Sequence, residues 1–444
     1  VNKKRCHSVF NSVPQKLLRS SKQFKKCVVL IRKIKYYYTN WRFFMIKNLI
    51  SKSVAGISPS ATEETSFMAN KLKRQGIDII SFAQGEPDFD TPDNIKKAAI
   101  IAIKEGFTKY TDVPGIPELR KAVSDKFKRE NGIEYESSQI LICNGGKQAL
   151  YEVFRTICEE GDQVLIPTPC YVSYAEQIKL AGAEPVFFKT KEENNFRPTL
   201  DEVKANFTPR IRAFIINSPN NPTGSIFEKE QLKKIVKLLV DRGVYIITDE
   251  VYEHLVYDGR NHISVASLGK KEKEMSITVN SVSKTYAMTG WRVGYAAGPR
   301  EIIKAMSNLQ GHATGNVNSI AQKATIEALN GTQEPVRNMV KEYEKRREYI
   351  VKRLNEIEGI RCQYPDGAFY TFPNVTSLYG KKYNGNIIGN DVDVAKFFLK
   401  KAHVAVVPGV AFNYSGYVRF VFAKSMEEIK EGLDRIEKAI KELK

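Results

Sequence analysis

Asn280–Tyr295 reads NSVSKTYAMTGWRVGY, and how this stretch is read decides the fold. It grows out of a β-like run, SITVN at 276–280, and ends in a second one, VGYAA at 293–297. Between the two, Lys284 stands in a loop of small hydroxylated residues, with Arg292 eight positions on. Packing alone gives no reason for a lysine there. Partial burial beside another cation lowers a lysine's pKa, and the neutral amine can then join covalently to an aldehyde cofactor such as pyridoxal phosphate. The hydroxyls of Ser281 and Ser283 and the guanidinium of Arg292 suit that cofactor's phosphate. The same residues also read as a solvated lysine in a polar loop, and the rest of the chain has to decide.

Working outward, five further strand-like runs precede this pair: QILIC (139–143), QVLIP (163–167), EPVFF (184–188), RAFIIN (212–217) and VYIIT (244–248). Several are continuous Val/Ile/Leu runs, the pattern of strands buried on both faces. Helical segments such as KQALYEVFRTICEE and EKEQLKKIVKLLVDRG separate most of them, which predicts a largely parallel sheet with right-handed crossovers. After Gly298 the pattern turns helical, then returns to short strands in VAVVPG and YVRFVFA before a closing amphipathic helix. The expected architecture is α/β: a large domain with a mostly parallel seven-stranded sheet flanked by helices (87–329), plus a smaller α+β domain formed by the N- and C-terminal segments (45–86 and 330–444).

Ligands of open α/β sheets bind beyond the carboxyl ends of the strands. After QILIC comes NGGKQALYEVF, whose glycines open a helix so that backbone N–H groups face a phosphate, or simply make a turn. After RAFIIN comes SPNNPTG with Asn221, and after VYIIT comes DEVY with Asp249 and Tyr252. An acid at a strand end is an N-cap in one reading. In the other, a carboxylate beneath a pyridine nitrogen keeps it protonated, while an amide and a phenol bond the ring's phenolic oxygen. Four strand ends therefore offer a phosphate cradle, an amide, an acid with a tyrosine, and an activatable lysine.

The net charge of +19 on 444 residues resembles a nucleic-acid signal until it is located. Residues 1–44 hold 12 of the 69 lysines and arginines and no acid, leaving 57 basic against 50 acidic residues from Met45 onward. The body is a mildly basic enzyme, and neither a nucleic-acid nor a membrane partner is expected. The basic stretch reads as upstream sequence ahead of a start at Met45, as an organellar transit peptide, or as a basic arm that touches RNA or anionic lipid, and is expected to stand outside the fold. Six scattered cysteines without a C-x-x-C pair predict no metal and a reducing compartment, hence a cytoplasmic protein, or an organellar one if the basic segment is a transit peptide. The five histidines are expected on surfaces or loops, and no apolar run is long enough to span a bilayer.

QGEPDFDTP, KYTDVPGIPELR, GGKQALY, SPNNPTG, DEVYEHL, SKTYAMTGWRVGY, DGAFY and VRFVFA occur in this order, and positions 46–444 so resemble the class I aminotransferases of the aspartate aminotransferase family, fold type I pyridoxal-phosphate enzymes. The resemblance implies that Lys284 bonds the cofactor and moves the proton, that Asp249 pairs with the pyridine nitrogen, and that Tyr252 and Asn221 contact the phenolic oxygen. Gly146, Lys147, Ser281 and Arg292 would lie around the phosphate, and Tyr110 would reach the phosphate of a neighbouring subunit in a homodimer. Arg419 would clamp the substrate α-carboxylate, helped by the Gly85 backbone. Tyr171 stands where the family often has a tryptophan on the cofactor ring. Lys147 and Thr62, in the PSAT stretch, resemble the branch that meets aspartate's second carboxylate; Thr62 is otherwise the N-cap of the TEET helix. The activity implied is ping-pong transfer of an amino group between an amino acid, aspartate first, and a 2-oxo acid, 2-oxoglutarate first. Aromatic or prephenate substrates, or carbon–sulfur lysis on the same fold, are the alternatives. The loop 379–390 has no part in this assignment.

Overall fold

The structure is a computed structural model that describes residues 50–444. The chain divides into two compact units, 1–57 and 58–444. Of the first unit the described part contains the short helix Lys52–Ala55. The expectation that residues 1–44 stand apart lies outside the described residues.

The second unit is built on one seven-stranded sheet. Its strands are β1 (Ile140–Cys143), β2 (Gln163–Thr168), β3 (Glu184–Lys189), β4 (Ile211–Asn217), β5 (Tyr245–Asp249), β6 (Ser276–Ser281) and β7 (Gly294–Ala297). Each lies within a residue of the run that announces it. The spatial order is β1-β7-β6-β5-β4-β2-β3. Neighbours from β6 through β3 run parallel, whereas β7 runs antiparallel to both β1 and β6. A parallel return needs a crossover of a dozen or more residues with its own helix. The twelve residues 282–293 that join β6 to β7 hold only the one-turn helix Val282–Thr285 and the short turn Thr289–Trp291, neither of which spans a sheet face as a crossover helix does, and the chain turns back on the edge it left.

Alternate residues along a strand face opposite sides of a sheet, and both faces here are covered. Leu141 and Cys143 of β1 join a core with Leu150, Phe154 and Met306, under the helices Gly146–Ile157 and Arg300–Ala313. Ile140 and Ile142 join a second with Ala99, Leu119 and Ala324, under the helices Asp93–Lys104, Pro117–Lys126 and Ser319–Asn330. Edge strand β3 is the most exposed of the seven.

A further core packs the helices Glu334–Glu356 and Met426–Lys441 against Tyr370 and Val418–Val421, and takes in Ile80 and Phe82. Three short strands, Val407–Pro408, Val418–Val421 and Tyr370–Thr371, form an antiparallel sheet there. The loop 379–390 holds a small hairpin, Lys382–Tyr383 with Asn386–Ile387. Its turn residues Asn384 and Gly385 both have positive φ, as a two-residue Asn-Gly turn requires.

Two of the histidines lie in loops, as expected, yet at partly or largely buried positions beside carboxylates. His262 is 6% exposed with Nε2 3.1 Å from a Glu250 carboxylate oxygen. His254 lies 3.0 Å from Glu130 and bonds the Thr285 hydroxyl through Nδ1 at 3.3 Å. The reason lies in the DEVYEHL turn, whose Glu253 points inward to pair with the buried Lys126 while its Glu250 meets His262 and the Ser264 hydroxyl. Among the described residues, four free cysteines are all buried.

Candidate active site

The register of the sheet sets the site. Cys143 and Ser281 both pair with Gly294, and Asn217 pairs with Asp249, so the ends of β1, β4, β5 and β6 and the start of β7 share one edge. The edge opens into a cavity of about 770 Å³. Lys284, Asp249, Tyr252, Asn221, Gly146, Lys147, Tyr171, Ser281, Arg292, Gly85, Arg419 and Thr62 all line it. Tyr110 does not: it is 98% exposed.

Lys284 sits in a one-turn helix, Val282–Thr285, capped by the Ser281 hydroxyl, which accepts from the Ser283 N–H at 3.0 Å. Two non-glycine residues of the same connection, Ala287 and Arg292, are left-handed, with φ of 50° and 56°. Such strain persists where the surroundings over-determine the backbone. The Lys284 amine donates to the Gly85 carbonyl at 2.5 Å. Burial brings its pKa down to about 8; Arg419 and Arg292 push the same way, while Glu86 and Asp249 oppose.

Asp249 ends β5 and is 5% exposed. Burial raises its carboxyl to about 6, against the hydrogen bond that Tyr174 donates at 2.7 Å. Asn217 donates to the Asp249 carbonyl and accepts from the Asn221 N–H, tying β5 to the loop after β4. Arg419, on Val418–Val421, is 2% exposed. It donates to Asn221 Oδ1 at 3.0 Å and to the Ala83 carbonyl at 2.5 Å. Its Nε has no partner, and among the described residues no carboxylate pairs with it.

The glycine pair after β1 turns the chain into a helix whose start lies against Arg292. Gly145 has φ of 85°, and a Cβ there would lie 2.4 Å from an Arg292 guanidinium nitrogen. The helix behind it starts at Gly146 without a side-chain cap, so its N-terminus faces the arginine, the arrangement that binds anions. A Cβ on Gly294 would lie 2.4 Å from the Gly146 nitrogen, so β7 is glycine at that point by necessity.

One expectation needs correction: Ser60, not Thr62, caps the helix Ala61–Arg74, because its hydroxyl is the one that accepts from the Glu63 N–H, at 3.5 Å. Thr62 lies in the first turn with its hydroxyl 2.9 Å from that of Ser60. The sequence reading also missed residues. Tyr370 bonds the Tyr252 hydroxyl at 2.6 Å and lies under the Arg419 guanidinium at 4.7 Å. It belongs to DGAFY, which carried the resemblance without a role for its tyrosine. Tyr174 had a signal in its place three residues after Tyr171, and Phe67 and Glu63 had none.

A half-buried lysine whose pKa is brought down to about 8, sharing a strand-end cavity with a buried guanidinium that pairs with no carboxylate among the described residues, defines an α/β enzyme of amine and carbonyl chemistry. Residues 77–436 match the family described as Aminotransferase class I and II, and the chain belongs to that family. It is 44% identical over 401 residues to a probable aspartate/prephenate aminotransferase of Aquifex aeolicus, covering 90% of this chain and 100% of that protein. An aspartate aminotransferase of Geobacillus stearothermophilus is 44% identical over 387 residues, 87% of this chain and 98% of its own. Among solved structures, the aspartate aminotransferase of Rhizobium meliloti superposes with a TM-score of 0.86 at 41% identity, covering 89% of this chain and 99% of that one. The Thermus thermophilus aspartate aminotransferase with maleate gives 0.82 at 40%, covering 88% and 99%.

Proposed function

We propose that this aminotransferase uses pyridoxal 5′-phosphate to move an amino group between aspartate and 2-oxoglutarate in the two half-reactions of a ping-pong cycle. The observation that carries the reading is the buried Arg419 guanidinium, which pairs with no carboxylate among the described residues, in one cavity with the Lys284 amine. The donor set fits the cofactor: an amine for its aldehyde, a buried acid for its ring nitrogen, and a helix N-terminus with an arginine for its phosphate. When bound, that group supplies the electron sink that lets an α-proton leave.

The residues of the chain do the rest. Arg419 takes the α-carboxylate in a fork, with Asn221 holding the guanidinium and the Gly85 backbone alongside. Lys284 Nζ, neutral above about pH 8, removes the α-proton and returns it. Asp249 would hold the ring nitrogen, Tyr252 and Asn221 the phenolic oxygen, and Tyr171 would supply an aromatic wall for the ring. The backbone N–H groups of Gly146 and Lys147 at the helix start, with Ser281 and Arg292, would surround the phosphate, which leaves the Lys147 amine for the substrate. Tyr110, exposed in one chain, reaches the site of a second, which makes the working unit a homodimer. Within the second compact unit, residues 58–86 and 330–444 form the smaller domain, shorter at its start than the expected 45–86 because residues up to 57 belong to the first unit. The buried free cysteines support a reducing compartment, cytoplasm or organelle alike, and no helix among the described residues is long and apolar enough to cross a membrane.

Lys147 and Thr62 support aspartate, as do the relatives' names and the dicarboxylate maleate in the Thermus neighbour. A second reading, aromatic or prephenate-type substrates, is favoured by Phe67 in the cavity wall and by the name of the Aquifex relative. Steady-state kinetics of Lys147→Met tests the choice: the KM for aspartate rises about tenfold or more while that for phenylalanine does not, and an unchanged aspartate KM removes Lys147 from the pocket.

A further inference from the structure

We propose that Glu63 is the counter-ion that Lys147 exchanges for a substrate's distal carboxylate, so that Glu63 sets the balance between acidic and neutral amino acids. This rests on the reading of Lys147 given above. Among the described residues, six side chains of unit charge line the cavity: Glu63, Lys147, Asp249, Lys284, Arg292 and Arg419. The last four serve the cofactor and the α-carboxylate. What remains for the substrate's side chain is one cation and one anion, Lys147 Nζ and a Glu63 carboxylate oxygen, 3.6 Å apart.

They come from separate elements. Lys147 is in the first turn of Gly146–Ile157, and Glu63 in the first turn of Ala61–Arg74. Glu63 is not alone on its helix face. Ser66, Phe67 and Asn70 follow at the three-, four- and seven-residue spacing of one helical stripe, and all four line the cavity. This stripe joins an acid, a hydroxyl, an aromatic ring and an amide in one wall.

The consequence is electrostatic. With no dicarboxylate bound, Glu63 cancels the charge of Lys147, and a neutral side chain meets a balanced pair beside the Phe67 ring. Glu63 and Lys147 are 73% and 49% exposed, and pairs this exposed hold weakly. A distal carboxylate therefore displaces Glu63, which turns out into water, and takes Lys147 for itself. One pocket thereby accepts both classes without rebuilding.

The test is calorimetric binding of succinate and of 3-phenylpropionate to the cofactor-loaded full chain, in wild type, Glu63→Gln, Lys147→Met and the double variant. Glu63→Gln is expected to tighten succinate about two- to fivefold and to weaken 3-phenylpropionate, and the succinate effect is expected to vanish in the Lys147→Met background. Equal changes for both ligands, no change for either, or a succinate effect that persists without Lys147 would overturn the proposal. If Lys147→Met leaves succinate binding as it was, the reading of Lys147 itself fails, a result distinct from a silent Glu63.

Discussion

Lys284 meets two demands that oppose one another in an ordinary lysine: its amine must shed a proton near neutral pH, and it must sit among charges that would hold one. Burial decides the contest, with Arg419 and Arg292 on its side, and the pKa comes down to about 8. Capture of added pyridoxal phosphate by the cofactor-free chain should therefore speed up with rising pH and level off above about 8; a rate that keeps climbing to pH 10 would return Lys284 to an ordinary surface amine. Lys284→Ala should lower single-turnover transamination by about a hundredfold or more. Asp249 works the other way. Burial raises its carboxyl to about 6, so the folded chain holds that proton more tightly than the unfolded one does. Stability is gained as pH falls from about 6 to about 4, and above 6 the ionised, buried group is a standing cost. Asp249→Asn should thus stabilise the cofactor-free protein at pH 7.5 by up to about 3 kcal/mol in denaturant melts while abolishing transamination. Destabilisation by this change would mean that the carboxylate is balanced at rest. At this scale most of the site was legible, because strand-end chemistry is local: Lys284, Asp249 and Asn221 each follow a recognisable β-run. Tyr370 was not, since its role depends on meeting Tyr252, 118 positions earlier in the chain.

Among the elements, the return from β6 to β7 does the most. Because residues 282–293 form no helix longer than one turn to carry a crossover, β7 turns back beside β6 and brings Arg292 against the glycines that follow β1. The seven strands and the order of helices could be read from Val/Ile/Leu runs and 3.6-residue patterning, but the antiparallel setting of β7 is a matter of connection length and pairing, which no single run displays. The hairpin in 382–387 is the opposite case: its Asn-Gly turn was visible in a stretch taken for a plain loop, and its strands of two residues were too short to show alternation. Gly145→Ala tests the cradle. It forces a side chain into the left-handed region and onto the Arg292 guanidinium, and should weaken cofactor affinity at least tenfold in equilibrium dialysis, with melting of the cofactor-free chain changed far less. Unchanged affinity would place the phosphate elsewhere.

At the scale of the whole molecule, the outlying residue is Tyr110, nearly fully exposed while every other expected site residue lines one cavity. If it completes a partner's site, Tyr110→Ala and Lys284→Ala chains should complement one another. A mixed dimer holds one site with both defects and one with neither, so mixing the inactive pools after mild dissociation should restore about a quarter of wild-type activity. No recovery, with dimers present, would leave Tyr110 without a catalytic part. The central claim, that Lys284 bonds an aldehyde cofactor on which an amino acid's nitrogen is deposited, has a more direct test: the absorbance spectrum of the chain loaded with pyridoxal phosphate, recorded before and after aspartate is added. A visible band that is lost on addition, with stoichiometric oxaloacetate released and neither seen in Lys284→Ala, is the result expected. No band after loading, or a band indifferent to every amino acid tried, would contradict it.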